Sequence, residues 1–339
     1  MKNNSIKTLV ISDSPIAGNA KGIWCFNYLP KHVKLGSIEP EHLLANMTFM
    51  GIMMKYLRTY ALTYLFSPRW EVVISSSFVD GLGLSIFQLL GLRRSTKHII
   101  IDQAALSINA ALYPILPIVM RRASKIICYT SAQANWWKKK LGSNKAVFIP
   151  YAIEDRGNMC ATGEKDYIFS GGGSSRDYAT LVRAAKDVKA PFIIVAVKDP
   201  VTRKTSLEGI PIPINVTIHS MLPRDQFLQL IRESKIVVIP LKDTIRAGGQ
   251  SVLLEAFAAG KPVIATRTSG MEDYVEDGKT GILVKHNSPK ELKIAIYSLL
   301  QNENLRKYLG HNARKAFETT YNIREIGKRV SEIIEEVIS

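Results

Sequence analysis

Tyr167-Ile168-Phe169-Ser170-Gly171-Gly172-Gly173-Ser174-Ser175-Arg176-Asp177-Tyr178, followed by Leu181-Val182-Arg183-Ala184-Ala185, decides the fold class. A short, continuously apolar run passes through three glycines into a segment with helical spacing. That is the strand, turn and helix of a parallel α/β unit. The step recurs outward from this stretch in both directions. Apolar, β-branched runs follow at residues 192–196, 215–218, 236–240, 262–265 and 281–284, and precede it at 7–12, 71–75, 98–102, 125–129 and 146–150. Runs without polar alternation imply strands covered on both faces, with helical crossovers between them. Two doubly wound, Rossmann-like sheets are expected, each with its own core and both facing a shared cleft.

The stretch Glu154–Lys165 is polar, carries Gly157 and Gly163, and lacks periodic apolar residues, so it reads as a linker. The expected organisation is a first domain over 1–153, a linker over 154–165, a second domain over 166–317 and a terminal helix over 318–339. That helix gathers Ile326, Val330, Ile333, Ile334 and Val337 on one face.

Composition narrows the class further. With 339 residues, 46% hydrophobic and 22% charged, the chain is globular, which excludes disordered and collagen-like proteins. Cys25, Cys128 and Cys160 form no CxxC pair and have no His cluster beside them. A disulfide framework and a zinc ribbon are thereby excluded, and a reducing, cytoplasmic setting is expected. The net charge of +16 is uneven: residues 1–150 hold 18 Lys and Arg against 6 Asp and Glu, a net of +12. The first half therefore meets something anionic. A nucleic acid is not expected, for want of a helix-turn-helix or RRM-like signature.

The N-terminal apolar run, ending at Asp13, is too short for a spanning helix and has no small-residue cleavage site, so no signal peptide is expected. The apolar stretches 43–66 and 103–120 are broken by charges or prolines and read as buried helices. Trp136-Trp137-Lys138-Lys139-Lys140 admits two readings: contact with the headgroups of an anionic membrane by a peripheral protein, or a solvated helix end with one Trp packed inward.

Gly171, Gly172 and Gly173 let the backbone approach a ligand, the following helix N-terminus favours an anion, and Arg176 adds a charge. A tight structural turn is the other reading. A second glycine turn, Gly248-Gly249-Gln250-Ser251, opens the helix 250–258 and makes a second anion nest. Glu255 is a carboxylate among Leu253, Leu254, Ala256 and Phe257. It serves either as a structural partner of nearby backbone or as acceptor for a vicinal diol such as ribose.

The run Leu254–Thr266, with Ser269–Val284 after it, resembles the donor-binding region of GT-B glycosyltransferases, above all the retaining family 4 enzymes. Weaker likeness extends over 166–317, and in the first half to Thr130-Ser131 and 147–153. The resemblance implies a nucleotide-diphosphate sugar, UDP- or GDP-linked, held by the second domain without a required cofactor or metal. The absence of an Asp-any-Asp motif agrees with that.

By the same resemblance Arg176, Glu255 and Asp102 are the catalytic candidates, with Glu255 on the ribose and Arg176 on the diphosphate. Ser220, Met221 and Leu222 lie beside the base. Gly18, Gly22 and Gln103 fall on the acceptor side, and the final helix crosses back to the first domain. The expected activity is transfer to a hydroxyl of a lipid-linked or glycan acceptor at a membrane surface. Two positions depart from the family pattern: Ala247 replaces a Glu, and Gly172-Gly173 replaces a Gly-Arg pair. A catalytically inactive nucleotide- or glycan-binding protein is the alternative.

Overall fold

The computed structural model describes residues 5–11, 25–38, 70–92, 95–102, 116–155, 163–173, 175–197, 205, 207–244 and 247–339. Gly18, Gly22, Gln103, Cys160 and the stretch 43–66 lie outside them, as does 103–115 of the second apolar stretch. The chain divides into two compact units, Met1–Pro150 with Ile323–Ser339, and Tyr151–Asn322.

In the first unit, β1 (Ile6–Ile11), β2 (Val33–Ile38), β3 (Val72–Ser75), β4 (Lys97–Asp102), β5 (Lys125–Cys128) and β6 (Ala146–Phe148) form one sheet in the order β2-β1-β3-β4-β5-β6. Every pairing is parallel. All four β3 residues are buried, as continuous apolar runs require when helices cover both faces. The edge strand β2 was not legible as a strand. Val33-Lys34-Leu35-Gly36-Ser37-Ile38 mixes polar residues with a glycine, and it pairs on one side only. Gly36 is required there because the Trp70 ring occupies the space a Cβ would need.

The helices α1 (Phe78–Leu89), α2 (Leu116–Met120) and α3 (Ser131–Leu141) belong to this unit. α3 starts on Thr130, whose hydroxyl accepts from Gln133 N at 3.1 Å, and ends at Gly142 with φ +61°. Trp137 is fully buried with Leu116, Met120 and Ala134, so its assignment to a membrane contact is corrected. Removing it to Ala costs about 3–5 kcal/mol on the scale of buried aromatic truncations. Trp136 is half-buried, edge-on to Trp137 at 4.8 Å, and Lys140 lies over its ring. Lys139 and Lys140 are exposed.

The second unit carries β7 (Ile168–Gly172), β8 (Phe192–Ala196), β9 (Val216–His219), β10 (Ile236–Ile239), β11 (Val263–Thr266) and β12 (Ile282–Val284), again all parallel, in the order β12-β11-β10-β7-β8-β9. Chain order reverses between β7 and β10, where an open α/β sheet leaves its ligand crevice. Its helices are α4 (Tyr178–Ala185), α5 (Arg224–Glu233), α6 (Gln250–Ala258), α7 (Pro289–Gln301) and α8 (Glu303–Thr319).

The described part of the expected linker is tied into this unit. Glu164 accepts from Arg306 at 3.0 Å, and the Lys165 amide donates to Glu233 O at 2.7 Å. Of the expected terminal segment 318–339, only the residues up to Asn322 stay with the second unit. α8 closes the second unit, and α9 (Ile323–Ile338) belongs to the first, buried through Ile326, Val330, Ile334 and Val337. A Cβ at Gly327 would stand 2.7 Å from the Tyr28 carbonyl, which shows how closely α9 approaches the 3₁₀ turn Phe26–Tyr28.

Candidate functional site

Both glycine turns leave from the strands that flank the switch point. Gly171 and Gly172 end β7, and Gly248-Gly249 follow β10. A Cβ at Gly171 would lie 2.6 Å from the Phe227 ring, and one at Gly172, whose φ is +113°, 2.5 Å from the Arg176 guanidinium. Glycine is thus demanded by packing as well as by backbone conformation. Arg176 is buried behind the turn. Its Nε donates to Gly171 O at 2.9 Å, while the Tyr178 hydroxyl donates to Gly172 O at 2.6 Å. Burial lowers the Arg176 pKa, opposed by Tyr178 and the Glu255 carboxylate. Asp177 caps α4 by accepting from Thr180 N at 3.1 Å.

The second turn meets the first. A Cβ at Gly248 would lie 3.4 Å from Ser175 Cβ, and one at Gly249 3.5 Å from Arg176 Nη1. Gly249 is the N-cap of α6 with φ +91° and no side-chain cap, so the first amides of α6 lack intrahelical acceptors. They point the positive end of the helix at the crevice. Gln250 opens α6, buried, with no hydrogen-bond partner for its Nε2 among the described residues, and Ser251 beside it is exposed.

Glu255, one and a half turns along α6, is 1% exposed. One carboxylate oxygen pairs with Arg224, and the other has no hydrogen-bond partner among the described residues. Burial pushes its carboxyl above the ordinary range, while Arg224 and Arg176 pull it back down. Arg224 is the first residue of α5, 5.9 Å from the Phe227 ring, and follows directly on Ser220-Met221-Leu222-Pro223. The loop after β9 is thereby joined to Glu255. Met221 is 76% exposed.

Two members of this constellation were missed from sequence. Arg224 had a legible signal, a cation in the first turn of a helix, where the macrodipole disfavours it. Tyr151 had none. Its hydroxyl, whose pKa burial raises, is hydrogen-bonded with Ser251, and its amide donates to Tyr274 Oη at 2.8 Å. Asp102 ends β4 in the first unit. It is fully buried, and the Trp137 indole donates to its Oδ2 at 2.7 Å.

Comparison with known proteins agrees with this architecture. Residues 162–316 match the family of glycosyl transferases group 1. A relative described as the uncharacterized glycosyltransferase MJ1069 of Methanocaldococcus jannaschii is 26% identical over 204 residues, 59% of this chain. The chain spans 50% of that relative's length. Sucrose-phosphate synthase of Thermosynechococcus elongatus superposes with a TM-score of 0.76 at 13% identity, covering 98% of this chain and 99% of that one. Anabaena Alr3699/HepE, in complex with UDP-glucose, gives 0.73 at 13% identity over 98% and 100% of the two chains. The chain thus shares its fold along its length with these glycosyltransferase structures, and residues 162–316 carry a glycosyl transferases group 1 domain.

Proposed function

We propose that the protein transfers a sugar, with retention at the anomeric carbon as in family 4, from a nucleotide-diphosphate donor to a hydroxyl acceptor. The observation that carries this reading is Glu255: a buried carboxylate with one oxygen unpartnered among the described residues, beside two glycine turns at the switch point. A ribose diol fits that oxygen, and a diphosphate fits the amides of Gly171–Gly173 and of Gly248–Ser251. As the anomeric bond loosens, charge gathers on the leaving phosphate. The preorganised amides and the Arg176 charge behind them stabilise it, so no metal is called for.

Ser220, Met221 and Leu222 flank the base. A UDP-sugar is the first donor to try, because HepE is described with UDP-glucose, and a GDP-sugar is the second. Asp102 and Gln103, with Gly18 and Gly22, take the acceptor side. The +12 of residues 1–150 favours an anionic lipid-linked or glycan acceptor, and so a protein working at the cytoplasmic face of a membrane.

Titration calorimetry with UDP and GDP tests the donor site. Glu255→Ala should weaken nucleotide binding about 10- to 100-fold, the range for losing hydrogen bonds to a charged group. An unchanged Kd removes Glu255 from the site. Ala247, standing where the family pattern has a Glu, favours a second reading, a binding protein without turnover. Mass spectrometry of products from mixed nucleotide sugars and a native lipid extract separates the two.

A further inference from the structure

The strands of the first sheet all run the same way, so their N-terminal ends form one pole of that unit. α1 and α3, which follow β3 and β5, run back and end at that pole, and α2 sits just before β5 starts there. α2 packs against both α1 and α3. A bond from Lys145 Nζ to Arg121 O, 2.8 Å, ties the turn before β6 to the turn before β5.

Two kinds of side chain emerge at this pole. Leu90 is 70% exposed and Ile118 51%, with Leu92 and Ile86 beside Leu90. Their neighbours Leu89 and Leu116 pack into one core cluster, so these apolar side chains stand on rigid helix ends. Arg121 and Arg122, in the turn after α2, and Lys139 and Lys140, in the last turn of α3, are exposed. Burial and the Arg122 charge lower the pKa of Lys145, a sign of how closely cations crowd here. Lys125 is apart from this group, since it pairs with Glu336 at 2.6 Å.

We infer that this pole docks the first unit on an anionic lipid bilayer. Leu90, Leu92, Ile86 and Ile118 enter the boundary between headgroups and acyl chains. The four cations meet the phosphate headgroups, as amphipathic interfacial elements do. A nucleic-acid backbone would pair with the cations but leave the apolar side chains exposed, which favours the bilayer. Docking here keeps the opposite end of the sheet away from the bilayer. Asp102 lies at the far end of β4, six residues long, about 20 Å from the pole. This pole shares no residue with the proposed donor site, so either can fail without the other.

Flotation of the full chain tests it, with vesicles of phosphatidylcholine alone and with one-third phosphatidylglycerol, in 0.1 M salt. The protein should float with the anionic vesicles and stay behind with the neutral ones. Replacing Arg121, Lys139 and Lys140 together by Gln should lower partitioning about 100-fold, from about 1 kcal/mol per basic residue near such a surface. Leu90→Ser with Ile118→Ser should lower it about 10-fold or more. Both variants should keep the wild-type melting temperature and UDP affinity, which separates lost docking from lost folding or a failed donor site. Equal recovery on both vesicle types, or variants that float like the wild type, overturns the inference. Retention on duplex DNA without flotation overturns it too, and gives the pole to a nucleic acid.

Discussion

Glu255 has been taken out of water with one oxygen paired and the other unpartnered among the described residues, and its protonation follows from that. Burial raises its pKa in the folded protein above that of the unfolded chain. Over the pH range between those two values the folded state holds a proton that the unfolded chain has released. Stability therefore falls as pH rises through that range and stays lower above it. Glu255→Gln, which cannot ionise, should melt a few degrees above wild type at pH 7 without ligand. The difference should vanish near pH 4, and the same variant should bind UDP more weakly. A melting curve that shifts equally at both pH values would show that Glu255 titrates normally. Glu255 was legible because a lone carboxylate in an apolar helix is conspicuous. Its partner Arg224, 31 residues earlier, is set beside it only by the packing of α5 against α6.

Elements show where backbone chemistry limits the site. Gly249 combines φ +91° with a neighbour, Ile239 Cγ2, 2.9 Å from where a Cβ would stand. Gly249→Ala should cost about 1–3 kcal/mol, from left-handed backbone and overpacking. It should also weaken UDP binding, because the amides of α6 would move. Thermal melts with and without UDP read both effects, and a variant as stable as wild type would show the turn to be relaxed. Most strands were legible as elements, since buried parallel strands are written as unbroken apolar runs. β2 was not, because an edge strand needs less burial and tolerates Lys34 and Gly36. α3 shows the complementary case. Trp136-Trp137-Lys138-Lys139-Lys140 left two readings open, and only the helix phase sent Trp137 inward to Asp102.

For the whole molecule, each unit has its own sheet and its own buried clusters, and the chain passes between units at Pro150 and again at Asn322. If the proposed donor site holds, with all its residues in Tyr151–Asn322, UDP should raise hydrogen-exchange protection around residues 171–177, 219–224 and 248–256. The first sheet, β1 to β6, should keep its exchange rates. Protection concentrated in the first sheet instead would move the nucleotide to the other unit. The second crossing lies at Asn322 rather than at the expected domain end, 317, because α8 runs on to Thr319 and only Thr320-Tyr321-Asn322 separates it from α9. The amino-acid sequence by itself determined the parallel α/β class, both glycine turns and the conspicuous Glu255. All of these are local: apolar runs, backbone freedom, and a charge out of place. Tertiary structure alone decided that the two turns touch, that Arg224 and Tyr151 join Glu255 and Ser251, and that Trp137 is core. Those facts depend on which strands lie side by side and on helix packing. Contacts between residues distant in the chain exist only once the sheet has set its order.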